Sequence, residues 1–307
     1  MLRPSLAENS VPTIAFIAQT TGNELWEAAH AGARKAALRD GFRIYWNAPT
    51  RSDDVERQIE LIESAIRRED VGLVVAPTQY LALISPLRLA IARHIPVVVA
   101  GSSVPIPAGN GLVFVLNDDQ VMGRMAARRV GMLLHGSGNV ALLGNDPNST
   151  GNWIRSRAFE ETLVSEFPAV SIRERDSSSP TFEEAAENAE KILLRNSQLA
   201  AIVSLTSTDS EGALTALRLL HRTKDVYLIG CDQELDLMEG IREGQMDSVI
   251  AENSFMIGQR AEEAIAALRH RRSVQATVLI PPLLITRDNI DRPDIQQILS
   301  TDWRGAP

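Results

Sequence analysis

The sequence has little of what would staple a small fold, hold a metal or cross a membrane. It carries one cysteine, Cys231, in 307 residues. No intrachain disulfide can form, and a disulfide-stapled scaffold is excluded. No apolar run approaches the ~20 residues of a membrane-spanning helix. The first ten residues, MLRPSLAENS, lack the apolar core of a secretion signal. Two locations are therefore expected as alternatives: the cytoplasm, or the periplasm or another extracytoplasmic space if an export signal has been removed. Positive charge is not in excess either. Lys and Arg number 31 against 39 Asp and Glu, a net charge of -8. Nucleic acid, which requires clustered positive charge, is not an expected partner. The basic stretch Arg269-His270-Arg271-Arg272 reads as a complement to the negative C-terminal end of a helix.

Catalytic signatures are also lacking. No GxGxxG follows a strand pattern, and GSGNV (136–140) precedes one and reads as a turn. There is no GxxxxGK[ST], HExxH or GxSxG. The five histidines, His30, His94, His135, His221 and His270, fall within or at the ends of helical patterns and read as surface or C-cap residues. Cys231 has no base near it in sequence and reads as a small buried hydrophobe. These absences predict a non-enzyme with no cofactor and no metal.

What the sequence does have is a rhythm. Short apolar, β-branched runs occur at 13–18, 42–46, 72–76, 96–100, 112–116, 139–144, 170–174, 200–204, 226–230 and 247–251. Most are nearly continuous in hydrophobicity, as parallel strands covered on both faces require. Amphipathic stretches separate them. Val55, Ile59, Ile62 and Ile66 form one stripe behind a Ser52-Asp53-Asp54 start signal. Met122, Ala126, Val130 and Leu133 form a second, and Phe182, Ala185, Ala189 and Leu193 a third. The alternation predicts an α/β protein with parallel sheets. It breaks at GSSVPIPAGNG (101–111), after which LVFVL follows with no helix between. The break reads as a seam between two sheets. A second break, Pro281-Pro282, lies between two short apolar runs.

In open parallel sheets, ligands bind beyond the carboxyl ends of the strands. The residues there are polar and mostly uncharged: Gln19 and Asn23 after the first run, Gln79 after the third, Ser102 after the fourth. Asn145 and Asp146, Thr206, Asp232 and Glu252 follow later runs. Such groups suit a ligand with many hydroxyls. Each also has a plainer reading as a helix cap, and Asp118 and Asp119 read as caps rather than metal ligands. Asp232 directly follows an apolar strand, where a carboxylate can accept two hydroxyl hydrogen bonds. Leu25 and Trp26 read either as core or as an apolar platform for a sugar ring.

Several segments resemble the type I periplasmic-binding fold: IPVVVAGSS (95–103), NDDQVMGRMAA (117–127), VALLG (140–144) with Arg155 and Arg157 downstream, SEGALTAL (210–217), YLIGCDQ (227–233) and SVIAENSFMIG (248–258). The resemblance spans roughly 12–290 in consistent order. It implies two Rossmann-like lobes with parallel sheets, joined by three hinge crossovers near 117–119, 252–254 and 280–283. The lobes would be 12–117 with 253–280, and 118–252 with 281–300. The fold would close around its ligand. By position, the implied ligand-binding residues are Gln19, Asn23, Trp26, Gln79 and Ser102 in the first lobe and Arg155, Phe182, Thr206, Asp232 and Glu252 in the second. The sequence departs from many relatives in having Gly101 and Ser102 where they have an Asp-Arg pair. The implied function is capture of a small, sugar-like solute for an ABC importer, with its membrane permease as partner. The alternatives are a LacI/GalR-type effector domain or a sensory module. The strand pattern starting near residue 13 leaves no room for an upstream helix-turn-helix in this chain.

Overall fold

The computed structural model describes residues 11–299 except Asn23, Ser52, Pro147 and Asn148. In chain order the elements are β1 (Thr13–Ile17), α1 (Glu24–Asp40), β2 (Arg43–Asn47), α2 (Val55–Arg67), β3 (Gly72–Val75), α3 (Ile84–Ala92), β4 (Val97–Gly101), β5 (Leu112–Asn117), α4 (Asp119–Leu133), β6 (Ser137–Asn145), α5 (Thr150–Glu166), β7 (Ala169–Ser177), α6 (Phe182–Arg195), β8 (Leu199–Ser204), α7 (Ser207–Leu219), β9 (Tyr227–Cys231), α8 (Leu235–Glu243), β10 (Ser248–Ala251), α9 (Ser254–Arg269), β11 (Thr277–Ile280), β12 (Leu283–Thr286) and α10 (Pro293–Leu299). The chain divides into two units. One runs to Leu116 and resumes over Ser254–Val278, and the other takes Asn117–Asn253 and the chain from Leu279.

The first unit is built on a sheet of order β11-β5-β4-β3-β1-β2, the second on one of order β12-β10-β9-β8-β6-β7. The ladders joining β1 to β5 are parallel, as are those joining β6 to β10. Only β12, among the ladders of the second sheet, pairs antiparallel, with Val249 opposite Ile285. The expected class, α/β with two mostly parallel sheets, is the class observed. The break at 101–111 is not a seam between sheets, because β4 and β5 on either side of it pair in parallel within the first sheet.

Burial explains the continuous apolar runs. Successive side chains of a strand point to opposite faces, and the second sheet has a core on each. In β8, Ile202 joins one core while Ala201 and Val203 join the other. In β9, Leu228 and Ile229 divide the same way. Each buried Val, Leu or Ile among them contributes about 1.5–3 kcal/mol. The edge strand β7 reads SIRERDS because only part of it is covered, and its charges discourage pairing with another edge.

The strand-to-helix turns show why those loops are polar. Asp54, Asp118, Thr181 and Thr206 each cap a helix by accepting from a backbone N–H of its first turn. Asp118 is thus a cap as expected, but Asp119 is not, since its carboxylate is engaged elsewhere. GSGNV is only partly a turn, because β6 already begins at Ser137. The runs around Pro281-Pro282 are strands β11 and β12. His94, His135 and His221 lie just past helix ends with positive φ, which fits the C-cap reading. His30 does not fit it: it is buried in α1 and stacks on Trp46 with ring centroids 4.4 Å apart. Burial, reinforced by Arg34, holds its pKa down at about 4.

Helices α1 and α9 cross with almost no space between backbones. A Cβ on Gly32 would lie 1.9 Å from the Phe255 carbonyl oxygen, and one on Gly258 1.8 Å from that of Ala29. The alanine-rich inner face of α1 exists for this approach.

Candidate functional site

In the second unit, the carboxyl ends of β9 and β10 bring together a cluster of charged side chains. Arg155, in the second turn of α5, is its centre. Its Nε donates to Asp119 Oδ1 at 2.6 Å, its Nη2 to Glu252 Oε1, and its Nη1 lies 3.4 Å from Cys231 Sγ. The side chains of Arg155, Asp119 and Glu252 are only 11%, 14% and 12% exposed. Small residues permit this geometry. A Cβ on Gly151 would meet Asp119 Oδ2 at 2.7 Å, and one on Gly123 would meet the Arg155 carbonyl oxygen at 2.2 Å. Helices α4 and α5 can therefore approach until Asp119 reaches the guanidinium. Beneath it lies a small apolar recess lined by Met122, Ala126, Leu205, Cys231 and Ile250.

Electrostatics follow from burial. Desolvation disfavours the charged guanidinium, yet Glu252 and Asp119 hold Arg155 protonated, well above its ordinary range. Burial raises the Asp119 carboxyl above the usual carboxylate range, and Glu252 adds to this against the pull of Arg155. Burial likewise keeps the Cys231 thiol protonated.

Asp232 stands at the end of β9 with φ 67°, a left-handed conformation that aspartate tolerates better than most residues. Its Oδ1 is buried without a hydrogen-bond partner. Burial, then the nearby Glu252 charge, pushes its pKa up to about 7 against Arg155. Gln233 follows, 5% exposed, with neither amide atom partnered. A buried amide and a buried carboxylate oxygen left unpaired cost free energy. Both have capacity to spare for a ligand.

The other expected residues are distributed unevenly. Thr206 is committed to a cap: its hydroxyl accepts from Asp209 N at 3.1 Å and donates to Asp209 Oδ2 at 2.6 Å. Phe182 opens α6 and is 42% exposed. Asn23 lies outside the described residues. In the first unit, Gln19 Nε2 donates to the Pro77 carbonyl at 2.7 Å. Gln79 and Ser102 are exposed. Trp26 is buried, with its ring edge 3.2 Å from where a Cβ on Gly101 would stand. Gly101 also has φ 79°, so the turn after β4 requires glycine on both counts. No carboxylate replaces it there.

Gln58 was not anticipated. It is fully buried inside the stripe of α2. Its Nε2 donates to the carbonyls of Ala18 and Ala76, and its Oε1 accepts from the Thr78 N–H and hydroxyl. One amide thereby uses its full capacity to hold the ends of β1 and β3 in place. A glutamine at an apolar stripe position is the sequence signal.

The model of the periplasmic binding protein domain matches residues 14–271. The chain belongs to that family. The chain is similar to the ribose import binding protein RbsB of Bacillus subtilis, 24% identical over 275 residues, 90% of this chain and 87% of that protein's length. The D-allose-binding periplasmic protein of Escherichia coli is 24% identical over 252 residues, 80% of each chain. The solved structure of AraP, an arabinose binding protein from Geobacillus stearothermophilus, superposes with a TM-score of 0.85 at 21% identity, covering 92% of this chain and 99% of that one. The family's fold is the one described above.

Proposed function

We propose that this periplasmic binding protein captures a small hydroxyl-bearing solute and delivers it to the membrane permease of an ABC importer, acting outside the cytoplasm and without turning the solute over. The observation that carries this reading is the second unit's cluster. A guanidinium is held in place by Asp119 and Glu252, beside Asp232 and Gln233, whose buried polar atoms have unmet hydrogen-bonding capacity. A ligand hydroxyl both donates and accepts, and complements such a set. The relatives named for ribose, D-allose and arabinose support a sugar-like solute. The hinge would comprise the chain passages near 117–119, 252–254 and 280–283, and the two units would close around the solute. Gln19, Asn23, Trp26, Gln79 and Ser102 would contribute from the first unit, and Phe182 would supply an apolar face from the second.

The test is a thermal-shift screen against sugars and polyols, followed by calorimetry. Selective binding in the micromolar range or tighter, with the solute recovered chemically unchanged, is expected. A ligand that binds only the folded form stabilises it by RT ln(1 + L/Kd) at free ligand concentration L. No binder across the screen, or recovery of altered solute at catalytic turnover, would overturn the proposal.

A further inference from the structure

The charges of the cluster around Arg155 do not balance. Asp119, Asp232 and Glu252 surround one guanidinium, that of Arg155. Among the described residues no other basic side chain forms an ion pair with any of these carboxylates. Arg129 and Asp247, by contrast, pair one to one at 2.7 Å. A buried surplus of negative charge is costly unless it is paired or neutralised. The unpartnered Asp232 Oδ1 and the unpartnered amide of Gln233 adjoin that surplus in the chain.

Resting on the solute-binding reading, we propose that the solute is a polyhydroxylated amine, an amino sugar or amino-polyol whose ammonium group is received by Asp232 and Glu252. Hydroxyls alone can satisfy the hydrogen bonds of this site, but only a cation offsets its charge. An ammonium supplies three donors and no acceptor, which suits two carboxylates close enough to raise one another's cost of ionisation. Burial shifts two of these carboxyls toward their neutral forms. The groups acting on Asp232 are Glu252, Arg155, Cys231 and Glu234, and Asp119 is itself shifted toward its neutral form. A cationic solute would replace a proton on Asp232.

The experiment compares matched pairs: 2-amino-2-deoxy sugars with their parent sugars, and amino-inositols with inositols. Thermal shift and calorimetry are run on the full chain, the latter in two buffers of different ionisation enthalpy near pH 6.5. The expected result is that the best amine binds at least about ten-fold more tightly than its hydroxyl counterpart and releases protons on binding. Glu252→Gln and Asp232→Asn should each shrink that preference. If a neutral parent binds as tightly or more tightly, the inference fails while the solute-binding reading stands. If no member of either set binds, the inference fails and the wider sugar and polyol screen decides the solute-binding reading. The wild-type comparison decides the matter even where a variant does not fold.

Discussion

Arg155 and Asp119 lie 36 residues apart in the chain, and their Nε and Oδ1 meet at 2.6 Å in a largely buried pair. The bond joins α5 to α4 and fixes the direction of the guanidinium before any ligand arrives. Removing one partner of a buried pair leaves the other uncompensated, at a cost of about 3–5 kcal/mol. Asp119→Ala should destabilise the ligand-free protein on that scale in urea unfolding, and should weaken solute binding as well. Unchanged stability would mean that the pair contributes nothing net.

Asp232 predicts a pH signature. Its folded pKa is about 7, above its unfolded value of 3.8, so the folded state binds the proton more tightly. The carboxyl's cost is absent at low pH, grows as pH rises from about 4, and is complete above about 7. Asp232→Asn, which cannot ionise, should therefore gain stability relative to wild type as pH rises from 5 to 8. The gain should be about 3 kcal/mol, at ~1.4 kcal/mol per pKa unit crossed between pH 5 and 7. Melting curves of both proteins without ligand measure it, and a constant difference across pH would contradict it.

His30 acts in the opposite sense. Its folded pKa, about 4, is below the ordinary 6.5. The neutral ring is favoured in the fold, so stability is full above pH 6.5 and is lost as pH falls toward 4, by about 3 kcal/mol. His30→Phe keeps an aromatic ring for Trp46 to stack on and removes the titration. Its acid-unfolding midpoint should move to lower pH.

At the α1–α9 crossing, Gly258→Ala places a methyl group where the Ala29 carbonyl oxygen stands, 1.8 Å away. The helices would have to separate. A loss of about 3 kcal/mol, the upper range for overpacking, is expected in chemical denaturation. Leu38→Ala, at an exposed position of α1, should change little.

The strands were legible because burial on both faces leaves runs such as GLVV and VVVAG almost wholly apolar. The α1–α9 pair was not, because its packing surface is alanine and glycine, which carry no strong periodic contrast. β11 and β12 were obscured by their length of four residues each and the proline pair between them. At the site, Arg155, Asp232 and Glu252 were singled out, but Asp119 was read as a cap. Of two adjacent aspartates at a helix start, only the three-dimensional approach of α5 distinguishes the one that caps from the one that pairs. Gln58 and His30 were missed for one reason: a polar residue on a buried helix face is identified by its partners, which lie far off in sequence.

The burial of Cys231 has a practical consequence. Its thiol is enclosed beneath Arg155 and held protonated, and the thiolate is the species that alkylating dyes attack. For labelling chemistry the native chain behaves as though it had no cysteine. A single cysteine introduced at exposed Ser102 or Gln79 would take a fluorophore in isolation, turning the wild-type background directly into an optical reporter of solute capture.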